Sequence, residues 1–314
     1  MVVIRAIIFN TVSRHNQIIR LAMANFVEFI IYSRFRTIII AGILGGLSQL
    51  MLPLSLLSLA IVALFILRKG EREGGYVLFG TAAVIVVMSF FIASRPGFTY
   101  PLVILLLLPV YICAVLLRLT AAQGVAVAAA GVCAAVFAIA IQLFSGDAVT
   151  WWSTWLKTAV QGVPGATYQD FQDNGSLLIM NGLIPLMLGL TAVASVLLGR
   201  WLQSLGYNPG EFRKEFYALK IPKAVVSGNI ALLAVTAMFN QRLMIDVLIV
   251  STLMYFFQGL AVLHYAAAKK KSGILYLAPP YFLLTVAPHY VIVGMACVGV
   301  TDILLNFRKL PAQK

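Results

Sequence analysis

The sequence predicts an all-α integral membrane protein: a polytopic helical bundle of about eight to ten transmembrane segments, with both termini cytoplasmic. Three observations predict it. Hydrophobic residues make up 61% of the chain and charged residues only 11%, far below the roughly 25% charged content of a soluble domain. Apolar runs follow one another along most of the chain, and about 20 such residues cross a bilayer as a helix. The basic residues gather in alternate connections, the asymmetry that orients membrane proteins. That retention of positive loops also accounts for the net charge of +13, so no nucleic-acid partner is expected.

Residues 1–36 form a basic, weakly amphipathic lead-in. Its short apolar start is followed by no small-residue cleavage site, so no signal peptide is expected. "MANFVEFIIYSRFRT" opens at Met23, a second candidate start that would leave the first 22 or so residues outside the folded unit. The membrane domain spans 37–305, and 306–314 form a cytoplasmic tail. Single passes are expected at 77–94, 100–117, 121–144, 177–199, 223–239 and 243–266. The runs 37–67 and 273–305 are too long for one comfortable pass. Pro53 interrupts the first and Pro279, Pro280 and Pro288 the second; an interior proline removes a hydrogen bond and clashes with the preceding turn.

Charge chooses between the readings. With a cytoplasmic N-terminus and both long runs split, ten passes place every basic residue inside except Arg95, Lys157 and Arg242. The long outer loop 145–176 carries Asp147, Asp170 and Asp173 against one lysine. A single pass at 37–67 would collapse this asymmetry. Eight full spans with re-entrant pieces remain the alternative.

Two connections have a pattern of their own. In "NPGEFRKEFYALKIPK", Phe212, Phe216 and Leu219 recur at helical spacing, which suits an interfacial helix with its charges among headgroups or a docking surface for a partner. In "SGDAVTWWSTWLKTAVQG", Trp151, Trp152 and Trp155 share one helical face and read as an aromatic belt anchor or as a lid over an outward pocket. His264 and Tyr265, close to the lysines at 269–271, read as residues of the inner headgroup level.

No phosphate loop, HExxH or GxSxG motif is present, and the three histidines are far apart, so neither an enzyme nor a metal or cofactor site is expected. Cys113, Cys133 and Cys297 lie in apolar runs and read as small buried hydrophobes. Ionisable residues within spans are functional candidates by default. Asp302, near Arg308, suits a structural pair, and Asp246, four residues after Arg242, suits a local ion pair. The amides Asn181, Asn229 and Gln258 either join helices or converge on a solute. Asp246, Gln258, Asn229, Asn181 and Asp170 are therefore the candidate solute-binding residues. Ala41, Gly42, Gly45 and Gly46 form small-residue pairs that let helices approach closely. Together with Phe212 and Phe216 they are the candidate partner-docking residues.

"LSQLMLPLSLLSLAIVALFILRKGEREGGYVLF", "GEFRKEFYALKIPK", "FFQGLAVLHYAAAKKK" and "VGVTDILLNFRK" resemble the YybS-like multi-pass membrane proteins, domain of unknown function 2232. The resemblance runs from about Met23 to Lys309. That family is grouped with the substrate-binding S components of energy-coupling-factor transporters. The resemblance implies a helical bundle in the bacterial cytoplasmic (inner) membrane, surrounded by membrane lipids. It also implies an outward pocket for a small solute, and docking of the small-residue face on a transmembrane coupling subunit that carries ATPases. The competing class is a non-transporting scaffold or regulator that docks partners through its basic cytoplasmic loops.

Overall fold

The computed structural model describes residues 24–25, 27–92, 103–162, 165, 167–270 and 272–308. The first half of the described chain contains α1 (Arg34–Leu47), α2 (Pro53–Lys69), α3 (Glu71–Ile92), α4 (Val103–Thr120) and α5 (Gln123–Ser145). Two short helices, α6 (Ala148–Ala159) and α7 (Tyr168–Asp173), lead into α8 (Met180–Tyr207). The short α9 (Glu211–Tyr217) precedes α10 (Lys223–Phe239), α11 (Gln241–Ala268), α12 (Gly273–Val286) and α13 (Pro288–Leu305). Six are long and apolar enough to cross a membrane: α3, α4, α5, α8 with its preceding turn, α11 and α13. α10 and α12 are shorter apolar helices. With α1 and α2, of 14 and 17 residues, they complete an all-α polytopic bundle.

Both long apolar runs divide into antiparallel pairs. α1 ends at Leu47 and α2 begins at Pro53, where the missing proline N–H is one that the first helical turn leaves unused. α1 then lies parallel to α3. Arg34 faces Glu73 at 3.9 Å near one end, and Gln49 Nε2 donates to Ser89 Oγ at 3.0 Å near the other. α2, between them in sequence, must run the opposite way. In the second run the break falls at Ala287 and Pro288 rather than at Pro279 and Pro280, which lie inside α12. α11 and α13 are again parallel and very close. A Cβ on Gly299 would stand 2.0 Å from the Tyr255 carbonyl oxygen, and one on Gly259 1.9 Å from that of Met295. Only glycine allows this approach.

The contacts gather the basic residues at one end of the bundle. Arg118 Nη1 donates to Leu67 O at 2.8 Å, Arg68 lies over Tyr207 at 3.9 Å, Arg200 pairs with Glu215, and Lys220 Nζ donates to Asn306 Oδ1 at 2.6 Å. Arg242, by contrast, acts on Asp147 at the other end. Arg5, Arg14, Arg20, His15, Met23, Arg95, Lys271, Lys309 and Lys314, and with them most of the lead-in and tail, lie outside the described residues.

Several expectations change. Ala41, Gly42, Gly45 and Gly46 are buried within the chain's own bundle; a Cβ on Gly42 would stand 2.5 Å from Val84 Cβ, and one on Gly45 2.6 Å from Ile85 Cδ1. Phe212 and Phe216 pack against the bundle core, and Leu219 and Ile221 beyond them are buried, so the apolar side of α9 faces protein rather than lipid. The reason is electrostatic as well as apolar: Glu215, on the same helix, is held by Arg200 and by Gln123 Nε2 at 3.3 Å. Trp152 is buried in a small core with Leu156, Leu177 and Met180, while Trp151 stays exposed. Cys297 is exposed because α13 turns Ala296 and Gly299 inward instead.

Candidate functional site

α11 carries three polar nodes, each tied to different helices. At the less basic end, Trp152 Nε1 donates to Asn181 Oδ1 at 3.1 Å. Asn181 Nδ2 donates to Asp246 Oδ2 at 2.7 Å and to Ala138 O at 3.2 Å. Both hydrogens and the oxygen of Asn181 are thereby engaged, joining α5, α6, α8 and α11. Asp246 is buried, and the expected ion pair with Arg242 does not form: the pairs among the described residues lie elsewhere. Arg242 sits in the first turn of α11 and is exposed, directed to solvent-side charge rather than inward.

At the basic end, Gln258 Nε2 donates to Asp302 Oδ2 at 2.9 Å, and Ile221 N donates to Gln258 Oε1 at 3.0 Å. Arg308 donates to the same Asp302 oxygen at 2.6 Å and to the carbonyls of Tyr217 and Leu219 at 2.8 and 2.7 Å. Tyr265 OH donates to Arg308 O at 3.1 Å. A buried ion pair offsets its desolvation only when further hydrogen bonds satisfy both groups, and here they do. The node is a clamp that fixes the 217–221 strap across α11 and α13. His264 stands beside it, with Nε2 2.8 Å from Tyr281 OH and its ring edge-on to Phe216.

The middle node borders open space. Asn229 Nδ2 donates to Ser251 Oγ at 2.6 Å, and Tyr255 OH donates to Asn229 Oδ1 at 3.0 Å. Ser251 Oγ in turn donates to Val247 O at 2.6 Å. In front of this triplet is a crevice of about 250 Å³ between α5, α10 and α11. Its walls include Gly131, Val136 and Ile139 from α5, Gly228 and Leu232 from α10, and Met254 from α11. Of the proposed solute residues, Asn229 alone lines this space. Asp170 is remote in role: it closes a capping box with Thr167 at the start of α7, and the Thr167 hydroxyl holds its carboxyl below the usual range.

The sequence reading missed Ser251, Tyr255 and Trp152 as partners. Ser251 and Tyr255 follow one another at i and i+4 on α11, a spacing that puts them on one face, and that was the available signal. Nothing in sequence linked Trp152 to Asn181, 29 residues away.

Helix content, spanning lengths and polar nodes between helices define a polytopic all-α membrane protein. A family model described as "Predicted membrane protein (DUF2232)" matches residues 154–303. The matched stretch is similar to that family and contains Asn181, Asn229, Asp246, Ser251, Tyr255, Gln258 and Asp302. It does not reach α1–α5, Trp152 or Arg308, so the first proline-broken run stands outside it. Neither the curated proteins nor the solved structures contain a match.

Proposed function

We propose that the chain is a membrane-embedded binding protein for a small solute, with the crevice beside Asn229 as its site. The observation that carries this reading is a crevice of about 250 Å³ with apolar walls facing a hydrogen-bonded polar triplet. Small-molecule sites have this make-up: apolar walls with a few placed polar groups. Asn181 and Gln258 are engaged in joining helices, which leaves Asn229 as the amide with space before it. The described lining is apolar apart from Asn229 and Ser251, a make-up that supports binding.

The YybS-like resemblance and its grouping with S components agree with a solute-binding role. In that extension the protein sits in the bacterial cytoplasmic membrane with its basic end inward, and uptake is driven by a coupling subunit and ATPases. A scaffold role is favoured by one other observation: Arg213, Lys214, Lys223, Lys269 and Lys270 are all exposed at the basic end, a surface suited to an acidic partner.

Purification from native membranes followed by solvent extraction and mass spectrometry tests the solute reading. A single compound near one equivalent per chain is the expected result. An empty protein recovered together with a stoichiometric acidic partner would favour the scaffold instead.

A further inference from the structure

The walls of the crevice specify what it takes, given the reading of that crevice as a solute site. We infer that the ligand is an uncharged, chain-like apolar molecule bearing one carbonyl or similar oxygen, admitted sideways from the hydrocarbon layer.

Charge is the first argument. Among the described residues no Lys, Arg, His, Asp or Glu lines the crevice, and an ion moved into such surroundings without a partner is strongly disfavoured. A carboxylate, phosphate or ammonium ligand would have nothing to meet. The hydrogen-bond valences are the second. Ser251 gives its only hydroxyl hydrogen to Val247 O and accepts from Asn229. Tyr255 gives its own to Asn229 Oδ1. An amide nitrogen carries two hydrogens, and the hydrogen bonds of Asn229 Nδ2 account for one of them. The remaining N–H fits one neutral oxygen acceptor.

Shape is the third. The α5 wall runs from Gly131 to Ile139, about 12 Å along a helix. A crevice of about 250 Å³ beside that length gives an extended hydrocarbon chain a wall to lie along. The way in is the fourth. Val132 and Val136, at the α5 edge, are 49% and 59% exposed, and the surface around them is apolar. The mouth therefore opens across the helices, at the depth of the hydrocarbon layer, and not toward either polar end.

Site-mapped photolabelling tests the inference on the full-length protein in lipid nanodiscs. Two probes share one diazirine-bearing sixteen-carbon chain, one ending in a methyl ketone and the other in a sulfonate. The ketone probe is expected to label peptides covering 131–139 and 225–232 at least tenfold more than the sulfonate probe. Gly228→Phe should remove that labelling, because Gly228 lines the crevice and a Cβ there meets nothing within 4 Å, which leaves room for the added side chain. Asn229→Leu should retain chain labelling but lose the advantage of the ketone probe over a third probe whose same chain ends in a plain methyl group. Equal or stronger crevice labelling by the sulfonate probe overturns the inference while leaving a solute site in place. Labelling by neither probe at these peptides, with Gly228→Phe indistinguishable from wild type, overturns both.

Discussion

Arg308 and Asp302 meet at 2.6 Å with neither side chain exposed, and Gln258 donates to the same carboxylate oxygen. The last described residues of the chain are thus bound into the bundle rather than trailing from it. Arg308→Ala leaves a buried carboxylate without its counter-charge, a loss of about 3–5 kcal/mol. Arg308→Lys keeps the charge but cannot fork between Asp302 and two carbonyls, and should fall between the two. Thermal unfolding in detergent, followed by helical circular dichroism, ranks the three proteins. Equal stability of Arg308→Ala and wild type would contradict the clamp.

α9 is held by Glu215. Glu215→Gln keeps the shape and removes the charge that Arg200 grips, at a cost of about 1–3 kcal/mol for a charge-assisted bond in partly buried surroundings. The expected consequence is local: faster proteolytic cleavage at 208–210, with the melting of the whole bundle little changed. Cleavage no faster than wild type would mean that the apolar contacts of Phe212 and Phe216 suffice.

The small-residue face of α1 is used inside the molecule. Gly42→Leu and Gly45→Leu would drive side chains into Val84 and Ile85, and overpacking of this kind costs about 1–3 kcal/mol each. The destabilisation should appear in the isolated protein, with no partner present. If both variants melt like wild type, that face is free for docking after all.

Spans were legible because hydrocarbon thickness sets a length. The division of 37–67 followed from the arginines and lysines on either side of it, and α1 and α2 take that course. Which face of each helix is buried was not legible, since lipid and protein interior are equally apolar and place no periodic demand on the sequence. For the same reason Phe212 and Phe216 read alike for a lipid boundary or a bundle groove. The crevice draws Val136, Gly228 and Met254 from three helices, so no local pattern announced it. Arg308 reaches Asp302 only because Asn306 turns left-handed, with φ of 49°, just after α13.

The segment α6–α7 should respond to acid. The Thr150 hydroxyl, which donates to Asp147, holds its carboxyl below the usual range, and the Thr167 hydroxyl does the same for Asp170. A carboxyl whose folded value is depressed contributes stability above its unfolded value, near 3.9 for Asp, and loses it as pH falls through the folded value. Below about pH 4 the caps of α6 and α7 should loosen, read as a change in emission from Trp151, Trp152 and Trp155. Asp147→Ser retains a capping oxygen that does not titrate, and should reduce the acid transition. An identical transition in that variant would assign it elsewhere.

Occupancy of the crevice is the central claim, and two open glycines allow a direct comparison. Neither Gly228 nor Gly294 has an atom within 4 Å of an added Cβ, but only Gly228 lines the crevice. Native mass spectrometry of protein released from its own membranes measures the mass carried by each chain. The account predicts a bound small molecule on wild type and on Gly294→Phe, and none on Gly228→Phe. The same adduct on all three proteins, or on none, would contradict it.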